Sequence, residues 1–373
     1  MNFRMKTILI TLFILSTQSI RANYNIFNQL KSEGQEISKQ STKWLKRYNG
    51  INLDDLNSFQ YKEISGTTSI NLKIQKLDSN EPKGYKSYGS FVPLNSSANP
   101  NAEIAYFNLA MITGVDFMFR PTVRYELGPT ASQEFKKIIL SSTIKGESRN
   151  ENKNNILKRI ESSQTLKGCL KAKKSDFAIG YDDIIKPTTF FNRLGGMKAN
   201  HPLAKLIQAK NSQPSKEKQL ELKTKYSNTE FQLAKEFSIL LTFDAIFGQY
   251  DRFSGGNVVI ELDDENKAHL LASDNGGAEV TDSLPNAKAN SKIFSRYDKN
   301  LIEKLKILNR FLKGDIPTFL NYNNPEEFVV DLGLYFLKSP ADYVKALRAN
   351  LSHFLNVVHE NEERYGQNIY FVE

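Results

Sequence analysis

The sequence has one cysteine, Cys169, among 373 residues, so no intramolecular disulfide can form. A chain of this length can bury a core large enough to fold without one. No metal-ligand or catalytic spacing surrounds Cys169, and we expect a buried structural side chain there. The four histidines, which lack metal-ligand spacing on one face, are His201, His269, His353 and His359. These absences argue against a disulfide scaffold and against a site built from cysteine and histidine ligands.

Long apolar runs are also scarce, and the one near the N-terminus is short. Arg4 and Lys6 precede an apolar run from Thr7 to about Ser16. This is the layout of a secretory signal peptide, and the run is too short to span a bilayer comfortably. We expect residues 1–22 to be a signal peptide and the protein to be secreted or periplasmic. An uncleaved membrane anchor is the alternative, because Ile20 occupies a position where cleavage after Ala22 would prefer a small residue.

The net charge of +9 favours anionic partners such as nucleotides and phosphorylated or acidic substrates. The lysines are scattered rather than clustered, so we expect no nucleic-acid partner. An anionic membrane surface stays open as a partner, and the sequence does not define the oligomeric state.

The order of patterns predicts an α+β fold with two lobes. Ser69 to Leu77 includes an alternation of polar and apolar residues, which is typical of a half-buried strand. Asn101 to Thr113 has the apolar spacing of a helix, and residues 143–175 are polar enough to indicate a surface insertion or a lobe boundary. The predicted divisions are a helical lead-in over residues 23–60, a small β-rich N-lobe over 61–142 and a larger helical C-lobe over 143–373.

A long buried helix is predicted from Phe231 to Phe247, with Ser227 and Glu230 at capping-box spacing before it. Gly248 is a natural helix end. A loop follows, and residues 257–262 and 267–273 then read as the two strands of a hairpin. Beyond residue 295 three helices are predicted: Leu301–Leu312, Glu326–Leu337 and Ala341–His359.

The loop after the buried helix carries Asp251, Arg252 and Asn257, and the hairpin ends at Asp274. Phosphoryl transfer needs a carboxylate that orients the attacking hydroxyl and oxygen ligands for the metal ions on the phosphates. Carboxylates and amide oxygens suit Mg²⁺ or Mn²⁺. The Asp-Asn-Gly tripeptide that starts at Asp274 would by itself be an ordinary turn, so the hypothesis depends on the order of the whole segment.

Two motifs make a resemblance to a known family explicit. Gly248 to Asn257 and then Ser273 to Gly276 are similar to the "G-N-x-D-R-x-x-x-N … D-N-G" pattern of atypical kinases, which include the phosphoinositide kinases, the HipA toxin kinases and the secreted Fam20 kinases. Asn101 to Leu109 resembles the "N-A-E-I-A-x-F-x-L" helix of the Fam20 family, and Leu72 to Lys76 resembles its "F-K-P-M-K" strand. The resemblance covers roughly residues 69–127 and 231–280 and implies a kinase-like fold that uses ATP with Mg²⁺ or Mn²⁺.

In the N-lobe the resemblance implies that Lys73 grips the nucleotide phosphates and takes part in catalysis. Lys76 and, less strongly, Lys86 are rivals for that role. The resemblance gives Glu103 one of two roles: it pairs with the lysine, as in most kinases, or it touches the metal, as in the Fam20 group. A solvated carboxylate in the first turn of a helix is the plain alternative for Glu103.

In the C-lobe the resemblance implies that Asp251 is the catalytic carboxylate and that Asn257 and Asp274 bind metal. Arg252, which we group with the cofactor-binding residues, would hold the loop by charge-assisted hydrogen bonds. Two departures bear on these roles. Phe253 replaces a histidine of the Fam20 pattern, and Asn257 lies one residue further from Asp251 than in the phosphoinositide and HipA patterns.

The function expected from these residues is an exported ATP-dependent kinase that phosphorylates a hydroxyl group of a protein, at serine or threonine, or of a glycan. A pseudokinase that binds a nucleotide or a partner without catalysis is the first alternative. A lipid-headgroup kinase is the second.

Overall fold

The computed structural model describes residues 25–64, 70–95, 99–142, 146–173, 179–180, 202–215, 218–219, 230–252, 257–262, 268–280 and 284–372. The chain divides into two compact units. The first contains Met1–Asp116, Arg120–Lys173 and Val330–Leu334, and the second contains Phe117–Phe119, Lys174–Val329 and Tyr335–Glu373. The predicted signal peptide lies outside the described residues.

The first unit is built on an antiparallel five-stranded sheet. The strands are β1 Phe59–Glu63, β2 Leu72–Leu77, β3 Tyr85–Pro93, β4 Thr122–Leu127 and β5 Leu166–Lys171, in the order β1-β2-β3-β5-β4. The helices of this unit are α1 at 25–32, α2 Lys39–Tyr48, α3 Pro100–Thr113, α4 Pro129–Ser141 and α5 Glu147–Ser163. Leu72 and Ile74 of β2 are buried while Lys73 is exposed, as the alternating sequence predicts.

Helix α3 begins and ends at residues that suit those positions. The Asn99 side chain accepts a hydrogen bond from the Asn101 amide, and Pro100 occupies the first turn, where no amide donor is missed. Gly114 ends the helix in a left-handed conformation with φ of 78°. Every residue from Pro100 to Thr113 is buried, so the helix is a central element of its unit and packs on β4 and β5.

The second unit is mainly helical. Its helices are α6 Pro202–Leu206, α7 Glu230–Phe247, α8 Leu284–Ser291, α9 Lys299–Lys313 and α11 Pro340–Tyr365; α10 Pro325–Leu332 runs from this unit into the last segment of the first. A small antiparallel sheet contains β6 Ile179–Gly180, β7 Val258–Leu262 and β8 Ala268–Ala272. Helix α7 is buried along almost its whole length and packs against α6, α8, α11 and β8.

The α+β class is confirmed, with a sheet-based first unit and a larger helical second unit. The predicted helices Asn101–Thr113, Phe231–Phe247, Leu301–Leu312 and Ala341–His359 are all present, and so is the hairpin. Within the lead-in, residues 25–32 and Lys39–Tyr48 are helical. Ser227 of the predicted capping box lies outside the described residues.

Of the two interpretations of residues 143–175, the surface insertion is wrong, whereas a lobe boundary within this range agrees with the end of the first unit at Lys173. That range contains α5 and β5, and β5 pairs with both β3 and β4 inside the five-stranded sheet. The N-lobe boundary at residue 142 therefore moves to Lys173, where the first unit ends. The polar residues that suggested a loop lie mostly on the exposed side of α5, which buries Asn152, Ile156 and Ile160. The second C-terminal helix prediction, Glu326–Leu337, is too long, because α10 ends at Leu332.

In the described part of the chain, no helix has the length and apolar character that a membrane crossing requires.

Candidate active site

The candidate catalytic loop starts where α7 ends. Gly248 has φ of 68°, a conformation that favours glycine, and the chain leaves the helix there. The amide of Gln249 donates to the carbonyl of Asp244 at 3.0 Å. Asn290 of α8 donates to the carbonyls of Asp244 and Gln249 at 3.0 and 2.8 Å. The first residues of the loop are therefore fixed to two helices of the second unit.

Arg252 is the central residue of this loop. Its Nε and Nη2 atoms donate to the two carboxylate oxygens of Asp244 at 2.8–3.1 Å, and both side chains are 1% exposed. Its Nη1 atom donates to the carbonyls of Asn257 and Asp274 at 3.3 and 2.9 Å. Nη2 also donates to Oδ1 of Asn275 at 2.8 Å. One buried guanidinium thus ties together the helix, the loop and the turn after the hairpin.

Asp251 is held by its neighbours on both sides. Its amide donates to Oε1 of Gln249 at 3.1 Å, and its carbonyl accepts a hydrogen bond from Nδ2 of Asn257 at 2.5 Å. A Cβ atom at Gly277 would lie 2.4 Å from Gln249 Oε1 and 2.9 Å from Asp251 Cβ. Only glycine at position 277 therefore leaves room for Gln249 and Asp251 in these positions.

Asp274 lies on the turn that follows β8. Its side chain is exposed, and Oδ1 accepts a hydrogen bond from the Gly276 amide at 3.2 Å. The carbonyl of Asn257 accepts from the Ser273 amide at 2.9 Å, in addition to its bond with Arg252. Asn257 and Asp274 are therefore neighbours, joined through both Arg252 and the backbone of Ser273.

Tyr250 marks the electrostatic character of the same loop. Partial burial of its ring raises the pKa of Tyr250, and the nearby carboxylates of Glu279, Asp251 and Asp274 raise it further. The residue is nevertheless 57% exposed. An exposed phenol beside three carboxylates indicates that this loop presents negative charge to the solvent.

The donors fit a hard divalent cation. Asp251, Asn257 and Asp274 offer carboxylate and amide oxygens, and Mg²⁺ or Mn²⁺ prefers such ligands. In the part of the chain that the structure describes, no group of three or more histidine, cysteine, aspartate or glutamate side chains is placed to hold a metal by itself. Mg²⁺ is usually held by one or two carboxylates, with substrate phosphates completing its coordination.

The first unit contains a second group of candidate residues. Glu103 of α3 forms an ion pair through Oε1 with Nζ of Lys171 on β5, and the two side chains are 2% and 5% exposed. The proposal that Glu103 pairs with Lys73 is therefore wrong, because Lys171 occupies that place. Within the described residues, no ion pair involves Lys73, which is exposed on β2.

Lys73 still lies on the same face of the sheet as Lys171. Lys73 pairs with Ser90 of β3, and Ser90 pairs with Lys171 of β5, so the three residues form one row across neighbouring strands. Directly paired residues project from the same face. Lys76 lies three positions further along β2 and points to the opposite face, as strand alternation requires. This placement favours Lys73 over Lys76 as the lysine that shares a face with Glu103.

The rival Lys86 is engaged elsewhere. It is the cross-strand partner of Lys76 and forms an exposed ion pair with Glu81 at 3.4 Å. It therefore lies on the face of Lys76, away from Lys73.

Two of the positioning residues were not predicted from the sequence. Asp244 is a carboxylate inside an apolar helix, eight residues before Arg252, and that isolated charge was a signal. Lys171 ends a segment that had been interpreted as a surface insertion. Arg252 makes the charge-assisted hydrogen bonds expected of a loop-holding residue, and its guanidinium is buried and donates to protein groups, so these bonds do not support its grouping with the cofactor-binding residues. Cys169 is buried and forms no disulfide, as expected.

No protein-family model and no curated protein matches this sequence. Among solved structures, the chain is similar to the Golgi casein kinase with Mn/ADP bound, at 12% identity and a TM-score of 0.48, covering 83% of this chain and 74% of that one. A second structure of the Golgi casein kinase matches at 12% identity and a TM-score of 0.46, covering 94% and 90%. The structure of hydra Fam20 with sugar matches at 16% identity and a TM-score of 0.49, covering 83% and 87%. Two of these three structures are of the Golgi casein kinase.

Proposed function

We propose that this protein is an exported ATP-dependent kinase that transfers the γ-phosphate to a hydroxyl group of a protein serine or threonine or of a glycan. The observation that supports it most is the set of bonds around Arg252, whose guanidinium contacts the backbone of both Asn257 and Asp274. The loop that carries Asp251 and the turn that carries Asp274 are separated in the sequence by a hairpin, and these bonds hold them side by side. Phosphoryl transfer depends on such positioning more than on covalent chemistry.

The reaction assigns a role to each side chain. The carboxylate of Asp251 would orient the acceptor hydroxyl and accept its proton as that oxygen bonds to the γ-phosphorus; the bond from this phosphorus to the bridging oxygen breaks, and ADP leaves. Asp274 and the amide oxygen of Asn257 would hold the divalent cation. When bound, that cation would supply positive charge that stabilises the transferred phosphate. Arg252 holds the loop in place and does not contact the nucleotide.

The first unit contributes the residues that bind phosphate. Lys73 carries an exposed ammonium on the sheet face that also presents the Glu103–Lys171 ion pair. An ammonium group is a point charge suited to phosphate oxygens. Export is supported by the layout of residues 1–22.

The test is incubation of the mature chain with γ-labelled ATP, Mn²⁺ or Mg²⁺, and protein and oligosaccharide acceptors. We expect labelled acceptor with the unmodified protein and none with Asp251→Asn. Asp315→Asn, an exposed site on the same unit, is the matched control and should transfer label normally. Metal-dependent ATP binding without transfer to any acceptor would contradict the kinase and assign the chain to the pseudokinases. Label that appears only with anionic lipid vesicles would favour the lipid-headgroup kinase.

A further inference from the structure

Lys171 is a buried lysine whose surroundings hold its backbone closely. It ends β5 and pairs with Ser90 of β3 on one side and Thr122 of β4 on the other. A Cβ atom at Gly89 would lie 2.3 Å from the Lys171 carbonyl oxygen, so glycine is needed at that position of β3. The amide of the next residue, Ala172, donates a hydrogen bond to the carbonyl of Pro121, and the carbonyl of Ala172 accepts one from Arg120 Nε at 2.8 Å. The Lys171 side chain therefore leaves the sheet from a fixed origin.

The positive charge of Lys171 is placed to interact with the carboxylate of Glu103. Its ammonium faces the first turn of α3, where the positive end of the helix dipole disfavours a cation. The same dipole favours a carboxylate at the position of Glu103, so the charge of Glu103 does not require Lys171. A buried ion pair is weak evidence for stability, because the loss of hydration can exceed the attraction between the charges. The pair is better explained by what it does to the orientation of Glu103.

Lys73 and Lys171 lie in one row across the sheet, and both carry the charge that an ion pair with Glu103 requires. Lys73 and Lys171 lie two strands apart, roughly 10 Å from backbone to backbone. Lys171 is buried and neutralised by Glu103, whereas Lys73 is exposed. One lysine is thus committed to the carboxylate, and the other keeps its charge available for an anion.

We propose that Lys171 is a positioning residue, which fixes the Glu103 carboxylate and leaves Lys73 to contact the nucleotide phosphates. This inference rests on the proposed function. In most protein kinases one lysine performs both tasks; here they are divided between β2 and β5. Because Glu103 pairs with Lys171, the role that the resemblance leaves to Glu103 is contact with the metal that accompanies the nucleotide. Removal of Lys171 should therefore weaken binding of the metal–nucleotide complex through Glu103, in the way that loss of a residue supporting a metal ligand weakens a metal site.

The experiment measures the affinity of the full chain for Mn²⁺–ATP by calorimetry, in the unmodified protein and in Lys171→Met, Glu103→Gln and the double variant. We expect each single substitution to weaken binding about tenfold. The double variant should be no weaker than Glu103→Gln alone, because Lys171 acts through that carboxylate. Lys167→Met, an exposed lysine on the same strand, is the control and should bind normally. Fluorescence of the single tryptophan, Trp44, which is buried in the first unit, reports whether each variant is folded.

Several results would overturn the inference. Unchanged affinity in Lys171→Met, or losses that multiply in the double variant, would show that Lys171 does not act through Glu103. If Lys171→Met does not fold, Lys171→Arg decides: a folded Lys171→Arg should retain binding, and loss of binding in it contradicts the positioning role. Failure of the unmodified protein to bind Mn²⁺–ATP would refute the proposed function, and the inference about Lys171 with it. The results with the Lys171 variants would refute only the inference.

Discussion

Arg252 and Asp244 form a buried ion pair in which two nitrogens of the guanidinium contact both oxygens of the carboxylate. This bidentate geometry fixes the orientation of the two groups as well as attracting them, because the donors of a planar guanidinium match a carboxylate in only one orientation. The pair anchors the candidate catalytic loop to α7. The order of the loop therefore depends on Asp244, whose side chain is buried inside the second unit.

Asp244→Asn should destabilise the second unit. The substitution leaves a buried guanidinium without its counter-charge, and breaking a buried pair in this way costs about 3–5 kcal/mol. We expect urea unfolding followed by circular dichroism to show a loss of that size. Asp315→Asn, where the carboxylate is exposed, should change the free energy of unfolding by less than about 0.5 kcal/mol. Equal stability of Asp244→Asn and the unmodified protein would show that the pair does not anchor the loop.

The Arg252→Lys substitution tests whether the charge of the Arg252 side chain is enough to hold the loop, or whether the geometry of the guanidinium is also needed. Lysine keeps the positive charge beside Asp244 but cannot also donate to the carbonyls of Asn257 and Asp274. The loop and the metal-ligand turn would then lose their common link. We expect kinase turnover to fall by roughly 100-fold, since small misplacements of reacting groups have effects of that size. Normal turnover in the Arg252→Lys variant would argue against the role of the guanidinium as the link.

Gly277→Ala should impair turnover because of a contact that glycine avoids. The added methyl group would meet Gln249 and the Cβ of Asp251 at distances too short for normal packing. We expect at least about a tenfold fall in turnover from displacement of Asp251. Gly314→Ala is the matched comparison, because its Cβ would meet nothing within 4 Å and its strain comes only from φ of 81°. It should lose about 1 kcal/mol of stability with turnover unchanged. The reverse pattern would refute the steric argument.

Buried tyrosines predict a loss of stability in alkali. Burial raises the pKa of Tyr125 to about 12, and it also raises the pKa values of Tyr48, Tyr61 and Tyr297. In the unfolded chain these phenols ionise near pH 10, so above that pH the unfolded state binds fewer protons than the folded state and stability falls. The contribution is complete below about pH 10 and declines as the pH rises towards 12. Thermal unfolding measured from pH 8 to 12 should show a midpoint that is steady and then falls. A steady midpoint up to pH 12 would contradict this account.

The sequence predicted the elements whose pattern is local. Helix α3 follows from Asn99, Pro100 and Gly114 at its ends, and the buried run of α7 follows from its apolar residues. The loop of Asp251 and the turn of Asp274 were found because their residue types and order carry chemistry. For these parts, neighbouring residues contain most of the required information.

The sequence did not predict relationships that depend on pairing between distant segments. Strand β5 was missed because it is short and follows the polar helix α5, and its membership of the sheet is set by β3 and β4. Lys171 was therefore missed as the partner of Glu103, 68 residues away in the chain. Asp244 and Arg252 are only eight residues apart, but their contact depends on how the chain turns after α7. Spacing alone does not define such a turn.

The most direct test of the central claim compares Lys73→Met and Asp274→Ala with the unmodified protein in one assay of labelled phosphate transfer from Mn²⁺–ATP. The proposed reaction uses Lys73 to bind phosphate and Asp274 to hold the metal ion. The account predicts that each substitution abolishes transfer while circular dichroism shows a folded chain, because both side chains are exposed and neither supports a core. Transfer by either folded variant at the level of the unmodified protein would contradict it.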